Sequence, residues 1–87
     1  MVSYQVEFSK KALKELRKID SRYVPRIYEV AESLSTEPRA VGCRKLSGSE
    51  HTYRIRVGDY RIIYDIEDAK LIVVVIRVRH RQSAYET

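Results

Sequence analysis

Cysteine is nearly absent from this chain. Cys43 is the only one among 87 residues, so no disulfide can form within it and the fold must rest on packing. Glycine and proline number three and two, too few for a flexible linker, a collagen-like repeat or a disordered tail. Long hydrophobic runs are missing as well: the longest, Leu71 to Ile76, falls far short of the roughly 20 residues that a membrane-spanning helix needs. The opening segment MVSYQVEFSKK carries no apolar signal core and no cleavage site. Together these absences predict a reducing, cytoplasmic setting. Metal and phosphate-loop chemistry find no footing either. Cys43, His51 and His80 have no metal-ligand spacing, and there is no Gly-rich loop or Ser/His/Asp arrangement, so no cofactor is expected.

What the chain does have is positive charge. Seventeen Lys and Arg stand against twelve Asp and Glu, a formal net charge of +5 with an isoelectric point near 9.5. That balance favours phosphate-bearing or acidic partners without specifying a fold. The length predicts a single domain over residues 1–87 with one modest core. So small a core leaves little surplus stability, and a partner that binds the folded form would matter.

Periodicity outlines the elements. Val2, Tyr4, Val6 and Phe8 alternate with Ser3, Gln5 and Glu7, the period of a half-buried strand. Ser9 offers an N-cap for a helix over Lys10–Ile19, with Ala12, Leu13, Leu16 and Ile19 as its apolar stripe. Asp20 and Ser21 break that helix and cap a second, which runs to Ser35 and carries Pro25 in its first turns. Two helices joined so briefly predict an antiparallel hairpin. Residues 37–50 read as loop. Three strands follow, over Thr52–Val57, Tyr60–Ile66 and Lys70–Val78, the first two joined by a two-residue turn at Gly58-Asp59. The last is apolar at nearly every position, which predicts a central strand covered on both faces. The order β-α-α-β-β-β describes an α+β domain: a small, mostly antiparallel sheet with a helical hairpin packed on one face.

The hairpin register exposes a chemical feature. With Gly58-Asp59 as the loop, Val57 stands opposite Tyr60, Ile55 opposite Ile62, and Tyr53 opposite Tyr64, giving one apolar and aromatic face for the helices. The other face holds Arg54, Arg56, Arg61 and Ile63, with Arg56 directly across from Arg61. Like charges so placed destabilise a sheet by a few tenths of a kcal/mol or more. A phosphodiester between the guanidiniums would reverse that penalty. The plainer reading is that these arginines are solvated, or paired with Asp59, Asp65 or Glu67. Strand parity carried through residues 67–70 puts His80 on the Arg61 face, with Arg81 joining it only if the strand ends or bulges near Arg79. A proton-transfer group would come from His80, Tyr85 or Glu50, or be replaced by arginine electrostatics.

Three blocks of the chain resemble a known family. LSGSEHTYRIRVGDYRIIY, Leu46 to Tyr64, is similar to the central block of the RelE/ParE toxin superfamily. LIVVVIRVRHR, Leu71 to Arg81, followed by Tyr85, is similar to its C-terminal block, and SKKALKEL, Ser9 to Leu16, to its first helix. The resemblance implies the toxin of a type II toxin–antitoxin system: an mRNA interferase that enters the ribosome and cleaves the A-site codon, inhibiting translation. In that chemistry the RNA 2′-OH attacks the adjacent phosphate without a metal. The implied roles are phosphate binding by Arg61, backbone orientation by Arg54 and Arg56, proton donation by Arg81 or His80, and base stacking or assistance to the 2′-OH by Tyr85. The implied partners are a cognate antitoxin protein, the ribosome and mRNA, and no membrane. Two alternatives share the fold: a ParE-like inhibitor of DNA gyrase with no nuclease activity, and a non-catalytic nucleic-acid-binding module.

Overall fold

A computed structural model describes residues 3–80. Strand β1 (Gln5–Phe8) runs into helix α1 (Lys10–Leu16) through Ser9. The Ser9 hydroxyl accepts from the Ala12 amide at 3.0 Å, the expected N-cap, and also donates to the Ile76 carbonyl at 3.0 Å. Helix α1 stops short of Ile19 because the Arg17 and Lys18 amides turn back to the Lys14 and Glu15 carbonyls, tightening the last turn. Helix α2 spans Val24–Ser33, with Pro25 in its first turn as expected. It starts later than Ser21 because the Asp20 carboxylate does not cap it. That carboxylate accepts instead from the Arg22 amide and guanidinium, at 2.7–3.2 Å.

The segment read as loop contains a short strand, β2 (Arg44–Lys45), too brief to show any period. Strands β3 (Thr52–Val57) and β4 (Tyr60–Glu67) form the expected hairpin, and β5 (Ile72–His80) follows a single 3-10 turn at Asp68–Lys70. The sheet order is β1-β5-β4-β3-β2, with β1 parallel to β5 and every other pair antiparallel. Gly58 has φ +59° at the first central turn position, which suits the two-residue hairpin and which a side chain would resist.

The β3–β4 register is the one expected, pairing Val57 with Tyr60, Ile55 with Ile62 and Tyr53 with Tyr64. Ile55, Val57, Tyr60, Ile62, Tyr64 and Ile66 are buried and meet Ala12 and Leu16 of α1, and Ile27 and Ala31 of α2 with Leu34 just beyond it. A one-residue slip would turn that whole face toward water, at roughly 1.5–3 kcal/mol for each large side chain. That outweighs the few tenths lost to facing arginines.

Strand β5 lies inside the sheet but is buried on one face only: Val73, Val75 and Val78 are buried, whereas Ile72, Val74 and Ile76 are half-buried. It is not covered on both faces as its composition suggested, because both helices contribute to a single core on one side of the sheet. Tyr64 pairs with Val75 and Ile63 with Arg77, leaving Ile76 as an extra residue in a β-bulge.

Polar side chains tie the far end together. The buried Tyr64 hydroxyl, whose pKa is raised by burial and then by the Cys43 thiol, donates to the Pro38 carbonyl at 2.7 Å. Arg39 forks onto the Asp68 carboxylate at 3.2 and 2.8 Å, and Tyr4 donates to the same carboxylate at 2.6 Å. Arg39 and then Tyr4 hold Asp68 at a pKa of about 2 against an ordinary 3.8. A carboxyl depressed in the folded state stabilises above its unfolded pKa and loses that contribution as pH falls through the folded value. Asp68→Asn should therefore unfold at lower urea than the wild type at pH 7, and the difference should shrink between about pH 4 and 2. Urea denaturation at a series of pH values measures it.

Candidate active site

The arginines of the open sheet face stand in two rows. Arg56 on β3 lies opposite Arg61 on β4, which lies opposite Arg79 on β5. One pleat along, Arg44 on β2 lies opposite Arg54 on β3. Neighbouring strands are about 4.8 Å apart, so each pair brings two guanidinium stems side by side. Arg44, Arg54, Arg56 and Arg61 line a hollow of about 260 Å³ with Gly42 at its rim. Gly42 has φ +94° as the chain turns toward β2, a conformation that keeps a bulky residue away from that rim.

Asp59, Asp65 and Glu67, the expected carboxylate partners, form no salt bridge with Arg54 or Arg56. Among the described residues the salt bridges are Arg22–Asp20, Arg39–Asp68 and Arg77–Glu15. Asp65 accepts instead from the Thr52 hydroxyl at 2.6 Å. Arg56 donates its Nε to the Gly58 carbonyl at 2.9 Å, which turns its head group toward the hairpin tip. Chemically, the hollow gathers four guanidiniums with no acidic side chain among the described residues of its lining, a set suited to an oxyanion such as a phosphodiester.

The bulge at Ile76 changes what β5 presents. Beyond it the parity inverts, so Arg79 rather than His80 stands across from Arg61, and His80 pairs with Tyr60. The expectation that His80 shares the Arg61 face is corrected accordingly. Its ring meets the Tyr60 ring edge-on at 5.4 Å between centroids. Arg81 and Tyr85 lie outside the described residues. Glu50 and His51 are exposed beside the start of β3, at the opposite end of that strand from Arg56. Sequence reasoning missed Arg44 and Arg79 as members of this face. Arg44 sits in a strand with no readable period, and Arg79 needed the bulge.

Residues 6–85 match the family described as the ParE toxin of type II toxin–antitoxin systems, parDE. The chain belongs to this toxin family. It is 38% identical to the toxin RelG of Mycobacterium tuberculosis, over 94% of this chain and 95% of that one. It is 31% identical to the mRNA interferase toxin RelE of Escherichia coli, over 95% and 88%. Among solved structures, the toxin–antitoxin complex RelBE2 from Mycobacterium tuberculosis superposes with a TM-score of 0.82 at 35% identity, covering 92% of this chain and 100% of the matched one. RelE/ParE membership and the α+β fold thus agree with the resemblance of the three sequence blocks.

In this toxin the C-terminal half of β5 is held by a carboxylate from α1. Strand β1 ends at Phe8, opposite Val75, so the next β5 amides lack a strand partner on that edge. Glu15 fills the gap, accepting from the Val78 amide at 2.9 Å and from the Arg77 guanidinium at 3.0–3.2 Å. Both side chains are largely buried, 21% and 27% exposed, so the pair is stronger than a surface bridge. Glu15→Ala should cost about 1–3 kcal/mol by leaving Arg77 and the Val78 amide without their acceptor. Urea denaturation at neutral pH reads that loss, and an unchanged midpoint would remove Glu15 from the account of β5.

Proposed function

We propose that this toxin is an endoribonuclease that cleaves messenger RNA in the ribosomal A site. The observation that carries the reading is the hollow lined by Arg44, Arg54, Arg56 and Arg61. The relative named mRNA interferase toxin RelE supports it, at 31% identity over nearly the whole chain. In the reaction the RNA 2′-oxygen bonds to the adjacent phosphorus, and the bond from phosphorus to the 5′-oxygen of the next nucleotide breaks. The products are a 2′,3′-cyclic phosphate, which can open to a 3′-phosphate, and a free 5′-hydroxyl. Negative charge grows on the non-bridging oxygens, and Arg61 at the centre of its row stabilises it. Arg54 and Arg56 orient the backbone and favour the deprotonated 2′-oxygen.

The leaving 5′-oxygen needs a proton, and an arginine that stays charged is a poor donor. Because His80 pairs with Tyr60, we assign proton donation to the leaving 5′-oxygen to Tyr85, which can also stack on a base, and charge neutralisation there to Arg81. The 2′-OH gives its proton to water, from which Tyr85 is reprotonated. The solved relative is a toxin–antitoxin complex, which supports a cognate antitoxin as partner here. An acidic antitoxin segment would mask the arginine face until released. The setting of such a cycle is the cytoplasm, where ribosomes work.

A toeprint on translating ribosomes tests the reading. Wild-type protein should cut within the A-site codon, Arg61→Ala should lose about 100-fold or more, and His80→Gln should stay within about tenfold. Intact message with a supercoiling defect in a parallel gyrase assay would establish the ParE-like activity instead. Silence in both, with salt-dependent RNA binding, would leave a binding module.

A further inference from the structure

Arg44 and Arg79 are the two cations of the arginine face to which the proposed reaction gives no part. We infer that they bind the phosphates flanking the scissile one, Arg44 toward one end of the RNA and Arg79 toward the other. A short single-stranded segment then lies across β2, β3, β4 and β5. The inference rests on the ribonuclease reading and adds to it the line that the strand follows and the two residues that hold it outside the cleavage point.

Register supports the line. Arg44 faces Arg54 and Arg79 faces Arg61, so pleat alternation puts both on the face that carries Arg56. From β2 to β5 the face spans three inter-strand steps, about 14 Å, too wide for one phosphate to bridge. The hollow at Arg44 opens on one side of Arg61. On the other side, at the β5 edge, a second hollow of about 190 Å³ is lined by Glu15, Lys18, Ile19, Val78, Arg79 and His80, and of these only Arg79 belongs to the arginine face. A strand leaving the first hollow passes over the Arg61–Arg79 pair and reaches Arg79 as the last cation of that row.

Pairing supports it as well. Arg22, Arg39 and Arg77 each fork onto a carboxylate, and each such fork holds a turn, a loop or a strand. Arg44 and Arg79 have no carboxylate or hydrogen-bond partner among the described residues, and Arg79 is half-buried beside Arg61. A planar guanidinium in that setting matches a phosphate through two parallel hydrogen bonds. Among the described residues the first hollow is walled by arginines and a glycine, with no apolar side chain to anchor a peptide, which suits a phosphate backbone as its occupant.

The test is fluorescence anisotropy of the full chain with an uncleavable 2′-O-methyl pentanucleotide. Neither side chain is part of the internal network, so Arg44→Gln and Arg79→Gln should keep the wild-type urea midpoint. Each should weaken binding about tenfold and lower the slope of log affinity against log salt by about 0.7. An uncharged methylphosphonate at one flanking position should erase the effect of Arg44→Gln alone, and at the opposite position that of Arg79→Gln alone. Variants that bind like the wild type, or that respond alike to every methylphosphonate, would overturn the inference while the A-site toeprint still stood. Loss of binding to an acidic antitoxin peptide with RNA binding intact would overturn it in favour of a peptide surface. A wild type that binds no RNA, and fails the toeprint, would remove both readings together.

Discussion

Tyr53, Ile55, Val57, Tyr60, Ile62 and Tyr64 share one face of the β3–β4 hairpin, and their burial holds the register on which the arginines depend. A strand offers two faces and no intermediate choice. Once the apolar face is sunk against Ile27, Ala31 and Leu34, Arg54, Arg56 and Arg61 have only the other side to occupy. Several kcal/mol of apolar burial therefore maintain facing positive charges that would not associate by themselves. Stability and a charged surface are two faces of one hairpin.

The second constraint runs through α1. Ser9 ties the helix to the Ile76 carbonyl, and Glu15 ties it to Arg77 and Val78. These contacts bracket the bulge at Ile76, where β5 changes parity. A bulge inserts one residue and re-aims all that follow it. Here it brings Arg79 into the row with Arg56 and Arg61 and turns His80 to Tyr60. The helix that supplies core residues thus also holds the stretch of β5 where its charges change face.

Electrostatically, the molecule separates two kinds of arginine. Those forked onto carboxylates at Asp20, Asp68 and Glu15 brace turns, the Pro38 loop region and β5. Those on the open face border a hollow with no acidic side chain among the described residues of its lining. Fixed cations held by a rigid sheet need little rearrangement when an anion arrives, which is the condition under which charge stabilisation is most effective. Membership of a toxin family with interferase-named relatives gives that face a chemical context.

Much of this was legible in the residues. Alternation at Tyr53 to Tyr64 and the Gly58-Asp59 turn specified the hairpin, its register and the face bearing Arg54, Arg56 and Arg61, because those patterns are local and period-2. Ser9 announced its helix for the same local reason. Four features were not legible: the early end of α1, the two-residue strand at Arg44, the one-sided burial of β5 and the bulge at Ile76. The first is a local tightening of the last turn that the apolar stripe does not reveal, and the other three are settled by partners distant in the chain. Arg44 becomes a strand residue only against Arg54, and Ile76 becomes an extra residue only when Tyr64 pairs with Val75 and Ile63 with Arg77. The sequence by itself determined which arginines share the hairpin face. Tertiary structure alone decided that Arg44 and Arg79 complete it and that His80 does not, because parity along a strand is readable only until a long-range contact interrupts it.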